Sequence, residues 1–214
     1  APANQQIIPR TEEIERYRDQ KQVFHLGESH LDESNALGQA GDLEWDLRWV
    51  DSGRRFRYVP PFLKTLGLAR STYNSCLFDL TMNGTIRHQG ETHRARNATG
   101  MIGHIEGSKI IGDSWGWSHC NHFDDRPDAA FEGLSARLQL GFTTTPPLSA
   151  FVLFLNGERH TFRTPLSVVR AESDFGRDEW TFKATSGNKV LSGRAVAPEE
   201  VALVEYTDTD ESNL

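Results

Sequence analysis

Cysteine is scarce in this chain, with two thiols, Cys76 and Cys120, among 214 residues. So few exclude a disulfide framework as the source of stability, and they read as small buried hydrophobes. They also point to a reducing compartment, so the expected location is cytoplasmic. No run reaches about 18 consecutive apolar residues, which excludes a membrane-spanning helix. Positive charge is short: 23 Lys and Arg stand against 30 Asp and Glu, a formal net charge of -7. An acidic chain repels phosphate backbones and anionic lipid, so neither nucleic acid nor a membrane surface is an expected partner. The opening APANQQIIPRTEE has neither the basic nor the apolar region of a signal peptide and no Met, so we expect a processed, trimmed or partial chain.

Several devices of catalysis are also missing. No Cys-x-x-Cys pair exists, and no His-x-His pair occurs among the eight histidines. Structural zinc spacing is absent. His119, Cys120 and His122 lie close in sequence, but alternation along a strand turns Cys120 and His122 away from His119, so no metal is expected. Ser114 and Ser118 lack the Gly-x-Ser-x-Gly elbow, which leaves nucleophilic hydrolysis without support.

What is present is aromatic mass and period-two alternation. Five Trp and twelve Phe supply large buried area per residue. Leu43 to Trp49 alternates apolar and charged residues, as a half-buried strand requires. Cys76, Phe78, Leu80 and Met82 repeat the pattern, and Asn83-Gly84 after them predicts a tight hairpin. Leu148 to Leu155 is apolar on both faces and should be covered on both, with Asn156-Gly157 as its turn. Trp180, Phe182 and Ala184 alternate ahead of a turn at Ser186-Gly187-Asn188, and Val201 to Tyr206 reads as a last strand. Many short, turn-marked strands predict an all-β fold: an antiparallel barrel with an apolar interior and short helical turns. The predicted organisation is an arm over residues 1–20, with a helical turn or two around Glu12 to Arg18, and one β-barrel domain over 21–214. A short helix is expected over Phe62 to Ala69.

Three segments could carry chemistry. In Gly112 to Asp125, a strand would put Trp115, Trp117, His119 and Asn121 on one face. Two indoles followed by an imidazole and an amide either line a pocket with a few orienting groups or fill a core with the polar pair at its rim. In Ala130 to Leu138, Glu132 lies in phase with Leu134, Ala136 and Leu138. A carboxyl held in such an apolar wall is poised as a proton donor, unless it sits at the strand mouth, solvated or paired with Arg126 or Arg137. In Gly100 to Gly107, His104 and Glu106 would share a strand face within reach of acid–base work, or the glycines mark only a bend at a barrel corner.

Taken together, Gly41-Asp42-Leu43-Glu44-Trp45-Asp46-Leu47, Pro60-Pro61, Gly100-Met101-Ile102-Gly103-His104, Trp115 to Phe123 and Phe131 to Arg137 resemble the lipocalin-like family that includes tocopherol cyclase and carotenoid hydratase. Bacterial relatives of unknown role and fungal barrel cyclases belong to the same family. The resemblance runs from about Val23 to the end. The family's His-Asn-Trp-Gly string reads His104-Ile105-Glu106-Gly107 here, so Glu106 replaces a tryptophan.

The resemblance implies a two-part calycin barrel with an apolar pocket and no redox cofactor or metal. In the enzymes an acid protonates an alkene, and water or an internal hydroxyl quenches the cation. Glu132, Glu106 and His104 are then the expected catalytic residues, with Trp115, Trp117, His119, Asn121 and Trp45 against the substrate. The expected partner is a hydrophobic small molecule. Two other readings stay open: a non-catalytic lipid- or terpenoid-binding barrel, and a sugar-binding sandwich with its Trp residues on an open surface.

Overall fold

The computed structural model describes residues 15–18, 23–59, 71–107, 114–140 and 142–197. The chain divides into two compact units, one of residues up to 108 with 121–130, the other of 109–120 with everything from 131. The fold is all-β and antiparallel, with one sheet curled into a half-barrel. The expected Phe62–Ala69 helix, the Pro60-Pro61 loop and the Val201–Tyr206 strand lie outside the described residues.

The first unit holds β1 (Glu15–Arg18), β2 (Val23–Leu26), β3 (Ser29–Leu31), β4 (Asn35–Ala40), β5 (Leu43–Asp51), β6 (Phe56–Arg57), β7 (Ser71–His88) and β8 (Glu91–Gly107). They form one sheet in the order β1-β2-β3-β4-β5-β7, with β6 beside the start of β7 and β8 along its other edge. Alternation in β5 behaves as the sequence predicts: Glu44, Asp46 and Arg48 are exposed while Trp49 is buried. Trp49 packs with Leu77 and Leu80 in a core that also takes in Leu31, Ala36, Leu47, Met82 and Ile102.

Two local expectations fail. Glu15–Arg18 is a strand whose backbone pairs antiparallel with β2, not a helical turn. Asn83-Gly84 is not a hairpin turn, because β7 runs straight through it. The turn falls at Gln89-Gly90, both with positive φ (51° and 82°), the combination a two-residue hairpin needs. Gly84 serves close approach instead: a Cβ there would lie 2.1 Å from the Asp46 carbonyl oxygen. Asn83 sits at a bulge, since Met82 pairs with Ala98 and Gly84 with Ala95, so one residue of β7 faces two of β8.

The β3–β4 turn is organised by Asp32. Desolvation in the turn pushes its carboxyl up, but hydrogen bonds donated by the Ser34 and Asn35 backbone and side chains outweigh that and hold it below the ordinary carboxylate value. A lowered folded value means the stabilisation is complete above the unfolded value of about 4 and is lost as pH falls through the lowered one. The advantage of the native chain over Asp32→Asn in urea unfolding should therefore be larger at neutral pH than in acid below the ordinary carboxylate range. A gap equal at both would contradict it.

The second unit holds β9 (Ser114–Cys120), β10 (Ala130–Arg137), β11 (Gln139–Leu140), β12 (Thr143–Thr144), β13 (Leu148–Leu155), β14 (Glu158–Phe162), the helix α1 (Pro165–Arg170), β15 (Glu172–Phe175), β16 (Glu179–Ser186) and β17 (Lys189–Val196). One sheet runs β14-β13-β10-β9 and another β15-β16-β17, with a β11-β12 ribbon. The turns at Asn156-Gly157 and Gly187 fall where expected. Helix α1 was not foreseen, though its signals are local. Thr164 Oγ1 accepts from Ser167 N, and Pro165 opens the first turn.

The alternating residues of β10, β13 and β16 meet in an aromatic core. Phe131 stacks on Phe182 at 5.1 Å between ring centroids, Phe151 on Phe182 at 4.9 Å, and Phe151 meets Trp180 at 5.8 Å. Gly133 leaves room for these rings, because a Cβ there would stand 2.6 Å from Phe151. Beside them runs a buried polar chain. Trp180 Nε1 donates to Ser173 Oγ, Ser173 donates to Ser135, and Ser135 and Ser149 share a 2.7 Å hydrogen bond.

Candidate functional site

Strands β9 and β10 pair so that His119 faces Glu132, Trp117 faces Leu134 and Trp115 faces Ala136. Gly116 and Gly133 turn toward the aromatic core, where added Cβ atoms would meet Phe175 and Phe151. Alternation therefore sends Trp115, Trp117, His119, Glu132, Leu134 and Ala136 to the other face. There His119 Nδ1 lies 2.9 Å from Glu132 Oε2, with Glu132 0% exposed and the His119 side chain 8% exposed. Trp117 stacks on the imidazole, with centroids 6.1 Å apart and planes 14° from parallel.

Glu132 is thus buried in phase with its apolar neighbours, as its register predicts, and it bonds an imidazole. Of the arginines weighed as partners, Arg137 lies 4.6 Å over the Phe175 ring, and Arg126 donates to Asp128. The sequence reading put His119 and Glu132 in one site, as orienting group and acid, but did not pair them directly. The signal that joins them is antiparallel pairing across the loop between Cys120 and Ala130.

The two indoles depart from the inward placement expected of them. Trp115 is 49% and Trp117 40% exposed. Strand β9 ends its sheet's strand order, so among the described residues its side chains have a neighbouring strand on one flank only. Asn121 does not continue the indole face, because β9 stops at Cys120 and the alternation stops with it. Its Nδ2 donates to the Gly100 carbonyl at 2.8 Å.

The remaining expected site residues belong to the first unit. His104 is half-buried in β8 opposite Asn74. Its neighbour Gly103 turns to the other face, beneath the Tyr73 ring. Glu106 pairs with Thr72 in register, and its side chain lies outside the described set. Trp45 lies across Gly38, whose missing Cβ would come within 2.6 Å of the indole. It borders a cleft of about 310 Å³ with Glu28, Glu44, Asp46, Thr85 and Arg87. That lining mixes these polar groups with Leu37 and the Trp45 indole, and Arg87 donates to Glu44 at 3.2 Å. Among the described residues no three His, Cys, Asp or Glu side chains converge as a metal site.

The pair at the centre of this face has definite chemical capacity. A carboxyl and an imidazole at 2.9 Å hold a proton between them, and the carboxylate fixes the ring's tautomer and orientation. The stacked indole beside them offers a π-face, which attracts a developing cation by roughly 0.5–2 kcal/mol. Comparisons with protein-family models, curated proteins and solved structures found no match to this chain.

Proposed function

We propose that the chain is a cofactor-independent cyclase, hydratase or isomerase acting on a hydrophobic, terpenoid- or polyketide-like molecule. The observation that carries this reading is the fully buried Glu132 at hydrogen-bond distance from His119, on a face shared with two tryptophans. Isomerisation, hydration and cyclisation of an alkene all begin with one proton delivered to carbon. In the proposed step the acid's O–H or N–H bond breaks as a C–H bond forms. The Trp117 face stabilises the resulting cation. Water or a substrate hydroxyl then attacks the cation and returns its proton to the pair. Glu132 is the acid, and His119 holds it and shares its proton. The same reading retains, as a proposal, kinship with lipocalin-like cyclases and hydratases.

A second reading, a lipid- or terpenoid-binding protein without turnover, uses the same tryptophans but no acid, whereas half-exposed indoles are what the sugar-binding reading expects. The enzyme and the lipid binder both predict that a long-chain terpenoid or fatty acid perturbs tryptophan emission and that Trp117→Ala weakens the response. Emission unmoved by either ligand would remove both. Product formed from a terpenoid alkene, followed by mass spectrometry, separates the enzyme from the binder.

A further inference from the structure

Asn83-Gly84-Thr85 and Asn97-Ala98-Thr99 are both Asn-x-Thr sequons without proline at the middle position, the acceptor pattern for N-linked glycosylation. The β7–β8 register brings the two asparagines together at the bulge. Asn97 N donates to Asn83 Oδ1 at 3.0 Å, and Asn83 Nδ2 donates to Asn97 Oδ1 at 3.4 Å. Both residues are exposed, as is Thr99. Asn97 adopts φ 50°, a left-handed conformation that asparagine tolerates better than most residues. We propose that Asn97 is an N-glycosylation site, and that Asn83 is its structural partner rather than a second acceptor.

The hydrogen bonds make the choice between them. Asn97 contributes its backbone N–H and its Oδ1 to the bulge, and among the described residues its Nδ2 donates to nothing. A sugar on that nitrogen leaves both hydrogen bonds in place. At Asn83 the nitrogen that would carry the sugar is itself a donor to Asn97. The donor molecule would be a lipid-linked oligosaccharide diphosphate. Asn97 Nδ2 attacks C1 of its first sugar, the N–C1 bond forms and the C1–O bond breaks. The lipid diphosphate leaves with the electron pair, and one amide proton passes to the transferase. The Thr99 hydroxyl completes the acceptor sequence.

This proposal does not rest on the catalytic reading. It places the chain in the secretory route of a glycosylating cell, against the reducing compartment expected from its two thiols.

The test is secretion of the full chain from a eukaryotic host behind a cleavable signal, followed by amidase deglycosylation and glycopeptide mass spectrometry. One glycan on Asn97 is expected, retained in Asn83→Gln and lost in Asn97→Gln and Thr99→Ala. Thr99→Ala leaves both bulge hydrogen bonds intact, so it decides the matter if an asparagine variant fails to fold. A secreted chain without glycan, a glycan surviving Thr99→Ala, or any glycan on Asn83 would overturn the proposal.

Discussion

Exchanging Glu132 for glutamine is expected to lower turnover of the alkene substrate by about 10²–10⁴-fold, the usual contribution of a positioned acid or base, while ligand affinity stays within a few fold. The amide matches the carboxyl in shape and keeps a hydrogen-bonding group beside His119 Nδ1. What disappears is the transferable proton. Glu132→Asp should be intermediate, since it draws the carboxyl back by one methylene from a partner 2.9 Å away. A binding protein without turnover would show only the modest stability change of a replaced buried hydrogen bond, about 1 kcal/mol. Steady-state kinetics alongside fluorescence titration distinguishes these outcomes. Full activity in Glu132→Gln removes the residue as the acid.

The second large effect concerns the core behind the site. Phe151 is fully buried and meets Phe131, Trp180 and Phe182. Its ring also occupies the space opened by Gly133. Phe151→Ala should cost about 3–5 kcal/mol, combining lost transfer energy with a cavity its ring neighbours cannot refill. For a chain of this size that corresponds to a fall in Tm on the order of 10 °C. Thermal unfolding followed by near-ultraviolet dichroism reads it directly. A shift below about 3 °C, less than 1–2 kcal/mol on the same scale, would mean the aromatic cluster is not the stabilising centre of its unit.

These two positions also show where the sequence is legible. Alternation at Leu43–Trp49 and Trp180–Ala184 follows from the two-residue repeat of the pleat, and the strands and their buried faces follow with it, while Leu148–Leu155, apolar on both faces, leaves no residue exposed. The burial of Glu132 was readable the same way. Its partner was not, because pairing between strands depends on register, which one strand's pattern leaves open. Asn83-Gly84 misled for a related reason. The pair tolerates positive φ, but whether it turns the chain or bulges depends on the strands beside it: β8 sets two residues against Asn83, and the Asp46 carbonyl of β5 occupies the space of a Cβ at Gly84. The outward lean of Trp115 and Trp117 depends on β9 lying last in its sheet, a fact of topology that no local pattern encodes.

The serine chain beside the aromatic core carries a sense of direction. An indole N–H can only give a hydrogen bond, so Trp180 makes Ser173 the receiver, and Ser173 in turn gives to Ser135. The row thus runs one way as far as Ser135, which meets Ser149 across a 2.7 Å contact in which either hydroxyl can give. Such a one-way row spans the two sheets of the unit like a keyed fastener. A slide of either sheet by one residue would break the row in the middle of the core, so the indole nitrogen helps select the single alignment in which both sheets fit.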